Sequence, residues 1–372
     1  MQSNFVFPLA TNTWDESEIA AIHRVIDSDR FTMGPEVLEF ERQFSEYFGS
    51  KHAIMVNSGS SANLLSAFAM RYVKGGKYVA NGNAEVIVPA VSWSTTYFPL
   101  SQAGFKLVFV DVDEVTLNID LNATKLAINS NTVGIMAVNL LGNPSSLSEL
   151  RALADENNLF LIEDNCEALG ASLDEKYTGT FGDVGTFSTF YSHHIATMEG
   201  GVIVTDDLEI AQVVRSLRAH GWTRELPQEN LVSNKSGDAF VDSFTFVLPG
   251  FNVRPLEMEG AIGQCQIKKI EDIVSQRRKN SLLYIDLINE LSGFSGQGEH
   301  GQSSWFSFAF ILQDGSAEKR NQLMSALALG GVETRPVMAG NMTRQPVMKH
   351  LDFRIEGTLV QADRIHDRAF LV

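Results

Sequence analysis

Ser188-Thr-Phe-Tyr-Ser-His-His-Ile-Ala-Thr-Met-Glu-Gly-Gly201 places two adjacent histidines, His193 and His194, just ahead of a Glu-Gly-Gly turn. A single histidine is most often a surface or hydrogen-bonded structural residue. A neighbouring pair suggests a metal, but adjacent side chains rarely face one ion and no further ligand cluster accompanies these two, so no metal site is expected. No lysine occurs between Lys176 and Lys235, so the segment offers no amine.

Upstream of it, short apolar runs alternate with helical patterns. Ala53–Val56, Val86–Val88, Leu107–Val110, Val133–Val138 and Leu159–Ile162 read as buried strands, and Leu147–Asp155 repeats apolar residues three and four apart. That rhythm predicts a parallel sheet covered by helices. Nearer the N-terminus, Asp15-Glu-Ser-Glu opens an apolar-periodic run to Ile26, and Gly34-Pro-Glu-Val-Leu-Glu-Phe-Glu41 gives a turn and a helix start. Downstream of about residue 250 the pattern changes to a long helix over roughly 255–292. A strand pair around Trp305–Leu312 and a helix over Ala317–Leu329 follow. The expected organisation is a large α/β unit with an N-terminal arm over 1–250 and a smaller α+β unit over 251–372.

With 372 residues, 44% of them hydrophobic, the chain can bury a large core. Its 45 acidic against 29 basic residues give a net charge of -16, which repels nucleic acid and anionic membranes, and no basic patch offsets it. The opening residues lack the basic-then-apolar pattern of a secretion signal, and no later run is apolar enough to span a bilayer, so a cytoplasmic location is expected. Cys166 and Cys265 are too few for a four-thiolate iron–sulfur cluster and are expected to be reduced, partly buried thiols.

Asn57-Ser-Gly-Ser-Ser-Ala-Asn63 follows the strand at 53–56 and precedes a helix. Small residues and free N–H groups at a helix start favour a phosphate, although the same residues serve equally as an ordinary N-cap with a turn glycine. Asp164 ends the strand at 159–162, a usual place for ligand groups in an open parallel sheet and also a usual place for a helix cap.

Taken together, Gly34–Glu41, Ser58–Ser61, Val88–Tyr97, Leu159–Gly170, Ser188–Gly201 and Pro249–Glu257 resemble, in order, the motifs of the DegT-type sugar-nucleotide aminotransferases, a branch of the aspartate-aminotransferase fold (fold type I). The likeness runs from Gly34 to Pro336. It implies that Ser58, Gly59, Ser60, Ser61 and Ser188 hold the phosphate of pyridoxal or pyridoxamine 5′-phosphate, that Trp93 stacks on its ring, and that Asp164 faces its pyridine nitrogen. It also implies that Asn252 reaches the phosphate of a second subunit, hence a homodimer with shared sites. Glu167 falls where Gln or His is common near the phenolic oxygen. Glu333 is a candidate for the sugar pocket, and Arg224 and Arg335 are candidates for glutamate or diphosphate contacts. Relatives run somewhat beyond Val372, so further site elements are expected past that point.

One departure changes the expected chemistry. The family carries its cofactor-linking lysine where this chain has His193, which resembles the subgroup of pyridoxamine-dependent sugar 3-dehydratases. Imidazole forms no stable covalent link to the coenzyme, but it exchanges a proton near neutral pH. The resemblance therefore implies a non-covalently held cofactor, regeneration by L-glutamate, and removal of the C3 hydroxyl from a GDP-linked 4-keto-6-deoxy sugar, as in colitose and O-antigen synthesis, with His193 as the base. A transaminating relative is disfavoured by the missing lysine. The iron–sulfur dehydratases are disfavoured by the cysteine count, and a non-catalytic relative by the retention of Trp93, Asp164 and Ser188.

Overall fold

The computed structural model describes residues 5–79 and 82–372; Met1–Asn4, part of the opening stretch read above, lie outside the described residues. Among the described residues there are thirteen strands: β1 (His52–Val56), β2 (Glu85–Pro89), β3 (Lys106–Val110), β4 (Thr132–Val138), β5 (Phe160–Asp164), β6 (Ser172–Leu173), β7 (Lys176–Tyr177), β8 (Val184–Ser188), β9 (Gly201–Thr205), β10 (Phe294–Ser295), β11 (Ala309–Leu312), β12 (Phe353–Ile355) and β13 (Ala369–Leu371). Eight of them form one sheet in the order β1-β9-β8-β5-β4-β2-β3-β12. From β8 to β12 every neighbouring pair is parallel, and β9 runs antiparallel to both β8 and β1.

Alternation along the strands explains why both faces are covered. Val86 and Val88 of β2 and Leu107 and Phe109 of β3 join one apolar cluster, while Ile87, Val108 and Val110 between them join another. Successive side chains point to opposite faces, so uninterrupted apolar runs are what a doubly covered sheet requires. Five expected strands appear within two residues of their predicted limits. The Leu147–Glu156, Glu16–Asp27 and Pro35–Phe48 helices appear as read, the second held at its start by an Asp15 capping box.

Two readings of the C-terminal part change. The continuous helix over 255–292 is instead Glu257–Gln266 and Ile270–Glu290, joined by a 3-10 turn at Ile267–Lys269. The strand pair near 305–312 is one strand, β11, whose partners β10 and β13 come from either side of it in the chain. Trp305 lies outside it in left-handed backbone, φ 49°. The short β12, from the C-terminal part of the chain, completes the edge of the large sheet beside β3.

Candidate active site

The helix Gly59–Tyr72 starts directly after β1, and the Ser58 hydroxyl caps it by accepting from the Ser61 N–H at 3.1 Å. Ser61 Oγ donates to Asn57 Oδ1 at 2.7 Å, and Ser60 Oγ donates to Thr95 Oγ1 at 3.1 Å. The helix itself offers no acceptor to its first N–H groups, so those of Gly59 and Ser60 suit an anion. Glycine is required where this loop meets the second motif. A Cβ on Gly59 would lie 2.6 Å from Ser188 Cβ, and one on Gly201 would lie 2.4 Å from the Ser58 carbonyl. The first phosphate motif and the Ser188–Gly201 segment therefore touch, with a bridge between Ser58 and Gly200.

Asp164 emerges from β5 nearly buried and is fixed by three donors. Its Oδ2 accepts from Asn63 Nδ2 at 2.9 Å and Thr96 Oγ1 at 2.8 Å, and its Oδ1 from the Cys166 N–H at 3.2 Å. Asn63 is itself oriented by Thr186 Oγ1, which donates to it at 2.6 Å. Thr96 belongs to the Ser94–Gln102 helix, and Trp93 is the residue immediately before that helix, with 56% of its surface exposed. An open indole thus stands at the end of an element locked to the phosphate loop and to Asp164. Asn63, Thr96 and Thr186 were not singled out from the sequence. Their signal was slight: polar residues on otherwise apolar elements, far apart in the chain.

His193 lies in the loop between β8 and β9, which is pinched at its base by the Ser188–Gly201 pair. Its N–H donates to the Phe190 carbonyl at 2.9 Å, and its ring centroid lies 5.1 Å from that of Phe306 and 6.0 Å from that of Phe190. Its Nδ1 is buried without a hydrogen-bond partner. Burial first, and the charge of Arg277 second, hold the imidazole down to about 4, so it is unprotonated at neutral pH. His194 turns the other way: its Nε2 donates to the Ser304 carbonyl at 3.1 Å, a structural contact.

Glu167 is buried, with Oε2 accepting from the Leu141 N–H at 2.8 Å. Burial first, then the neighbouring Asp164 charge, push its carboxyl up from 4.5 to about 8. The sign of the linked effect follows. Above pH 4.5 the unfolded chain loses a proton that the folded chain keeps to about pH 8, so stability falls as pH rises through that window, by at most about 1.4 kcal/mol per unit. Glu167→Gln removes this cost. Its melting temperature in the cofactor-free protein should gain on the wild type from pH 5 to 8 and run parallel above. Identical pH dependence in the two proteins would show that Glu167 is not a neutral acid.

Four other predicted residues lie outside this cluster within the chain. Asn252 is exposed and accepts from Arg254 Nε at 3.1 Å, although the next carbonyl, that of Val253, accepts from the Asn57 N–H beside the phosphate loop at 3.0 Å. The Arg224 guanidinium stacks 4.0 Å from the Trp222 ring and 5.0 Å from that of Phe244. Glu333 accepts from the Leu9 N–H at 3.0 Å and pairs with Arg335 at 3.4 Å, tying down the N-terminal arm. Cys166 and Cys265 are free and half-buried, and among the described residues no group of three or more His, Cys, Asp or Glu could hold a metal.

An anion-suited helix start, an open indole, a fixed carboxylate and a buried acid fit a phosphorylated pyridine cofactor, and the loop that meets the helix start carries an imidazole nitrogen without a partner. The comparisons agree. The model of the DegT/DnrJ/EryC1/StrS aminotransferase family matches residues 12–372. A GDP-4-keto-6-deoxy-D-mannose 3-dehydratase of Yersinia pseudotuberculosis is 50% identical over 368 residues, 98% of this chain and 93% of that protein. The solved E. coli GDP-4-keto-6-deoxy-D-mannose-3-dehydratase with bound hydrated pyridoxal phosphate superposes with a TM-score of 0.95 at 48% identity, covering 99% of this chain and 95% of the other. A GDP-4-keto-6-deoxymannose-3-dehydratase structure with a trapped pyridoxal phosphate–glutamate geminal diamine gives a TM-score of 0.95 at 48% identity, covering 98% and 95%.

Proposed function

Because this chain belongs to the DegT/DnrJ/EryC1/StrS aminotransferase family and has its fold, we propose that it is a pyridoxal/pyridoxamine phosphate-dependent 3-dehydratase of GDP-4-keto-6-deoxy-D-mannose. In this reading L-glutamate is the amino donor and the product enters 3,6-dideoxysugar synthesis of the colitose and O-antigen type. The observation that carries the proposal is His193: a ring nitrogen without a partner, in the loop that touches the phosphate cradle, with no lysine between Lys176 and Lys235.

When bound, the cofactor supplies an amine for the 4-keto group and a ring that accepts electrons. Ser58, Gly59, Ser60, Ser61 and Ser188 hold its phosphate, Trp93 covers its ring, and Asp164 faces its pyridine nitrogen. Glu167, protonated at neutral pH, donates towards its phenolic oxygen. His193 takes the proton from the cofactor's C4′ carbon and gives it to the departing C3 hydroxyl. An imidazole held near 4 is a weak base but, once protonated, a strong acid, which favours the second transfer.

The proposal includes a homodimer with shared sites and a cytoplasmic location, and treats 1–250 and 251–372 as the two units. Trp93, Phe190, Tyr191 and Met198 leave a broad apolar margin exposed around the site, which a second copy would cover. Asn252, Arg224, Glu333 and Arg335 would then serve phosphate, diphosphate, sugar or glutamate across that boundary. The decisive experiment incubates the protein, without added iron, with pyridoxal phosphate, glutamate and a panel of GDP-, CDP- and dTDP-linked 4-keto-6-deoxy sugars. Mass spectrometry should find the GDP product one oxygen lighter than its substrate. A stable amino sugar would make the protein an aminotransferase instead.

A further inference from the structure

Arg277, on the helix Ile270–Glu290, is a half-buried cation with no carboxylate partner among the described residues; desolvation alone draws its ordinary value down. Drawing a guanidinium partly out of water without a counter-ion has a cost, which an apolar residue on the same helix face would not carry. Its Nη1 donates to two consecutive carbonyls, Trp305 at 3.0 Å and Phe306 at 2.8 Å. The neighbouring Arg278 holds the same segment, donating from Nε to the Ser303 carbonyl at 2.9 Å. The segment needs holding, because Trp305 has φ 49° and is not a glycine. The segment presents the half-buried Phe306 ring, 5.1 Å from the His193 ring and 5.9 Å from the His194 ring.

We propose that Arg277 is a positioning residue for His193: it clamps the Trp305–Phe306 turn so that Phe306 backs the imidazole, and it sets a fixed positive charge behind that ring. The inference rests on the reading of His193 as the base. Arg277 is the one charge that acts on the ring among the described residues. His194 beside it is neutral; Asp164, at the end of β5, acts on Glu167, and both carboxyls act on Cys166 rather than on the imidazole. The charge costs nothing in the resting base and presses the proton off the imidazolium, which is the direction hydroxyl departure requires.

The test compares Arg277→Gln, which keeps a donor but loses the charge, with Arg277→Lys, which keeps the charge. In cofactor-loaded protein, the His193 ring is titrated by NMR, its signal assigned by its loss in His193→Asn, and the acid limb of kcat/KM is recorded in parallel. Arg277→Gln should raise the His193 midpoint and the acid limb together by about 1 unit, so that kcat/KM below both midpoints falls about 10-fold relative to its plateau. Arg277→Lys should keep the midpoint of the wild type and lower kcat through a looser turn. An unmoved midpoint in the Gln variant, or an equal rise in the Lys variant, overturns the proposal. If the Gln variant does not fold, the Lys variant alone decides, since any upward shift of its midpoint contradicts a role for the charge. The underlying reading fails separately, by His193→Asn dehydrating at the wild-type rate, while the ring titration still reports on Arg277.

Discussion

His193→Asn is expected to keep its cofactor and to lose dehydration by about 10²–10⁴-fold, towards the upper end of what one acid–base group contributes. In the proposed reading the phosphate, ring and pyridine-nitrogen contacts come from residues elsewhere: Ser58–Ser61 and Ser188, Trp93, and an Asp164 fixed by Asn63, Thr96 and Cys166. The imidazole contributes little to that framework, because its Nδ1 has no partner and its backbone N–H, which bonds Phe190, survives any substitution. Asparagine is smaller than histidine but planar and polar, and it leaves the backbone of the loop between β8 and β9 unchanged. What disappears, in the proposed mechanism, is a group that would serve twice, first accepting a proton and then delivering it. The measurement is the rate of product formation beside the absorption spectrum of the bound cofactor. A near-normal rate would remove His193 from the mechanism.

His193→Lys should lose dehydration to a similar degree, about 10²-fold or more, and for a different reason. The amine would accept a proton well enough, but it would also bind pyridoxal phosphate covalently, trapping the coenzyme away from the sugar. Borohydride reduction followed by denaturation should therefore add one cofactor mass to this variant and none to the wild type. A stable adduct on the wild-type chain would contradict the non-covalent reading, and an unmodified lysine variant would show that position 193 does not face the cofactor aldehyde. Whether amino sugar accumulates depends on Glu167, held neutral by burial, so a clean exchange of one activity for the other is not expected.

The buried strands were the most legible part of the chain, because a doubly covered parallel sheet writes itself as continuous apolar runs such as Val86–Val88 and Leu107–Val110. β8 was harder, since Val184-Gly-Thr-Phe-Ser188 mixes glycine and polar residues that serve the site. β12 is three residues long and carries Arg354, which pairs with Glu85, so it resembles a loop until its neighbour is known. The break at Ile267–Lys269 has neither proline nor glycine to announce it. Within the site, motif residues were legible and their supports were not. Asn63 and Thr96 matter only because Asp164 lies between their elements. Arg277 is one of two adjacent arginines on a helix, which in sequence reads as a solvated face.

The join between the Gly59–Tyr72 helix and the loop after β8 also bears on how the chain reaches its native state. The loop carrying His193 closes locally, between neighbouring antiparallel strands. The proposed phosphate cradle instead needs β1 to find β9, and the Thr186–Asn63 hydrogen bond spans 123 positions of sequence. Contacts of that range are slow to form, because chain entropy must be lost before they repay it. A ligand gripping both motifs therefore acts as a molecular cross-link between early and late parts of the fold. Its binding during refolding reports completion of the sheet, and its loss loosens the edge where β1 sits.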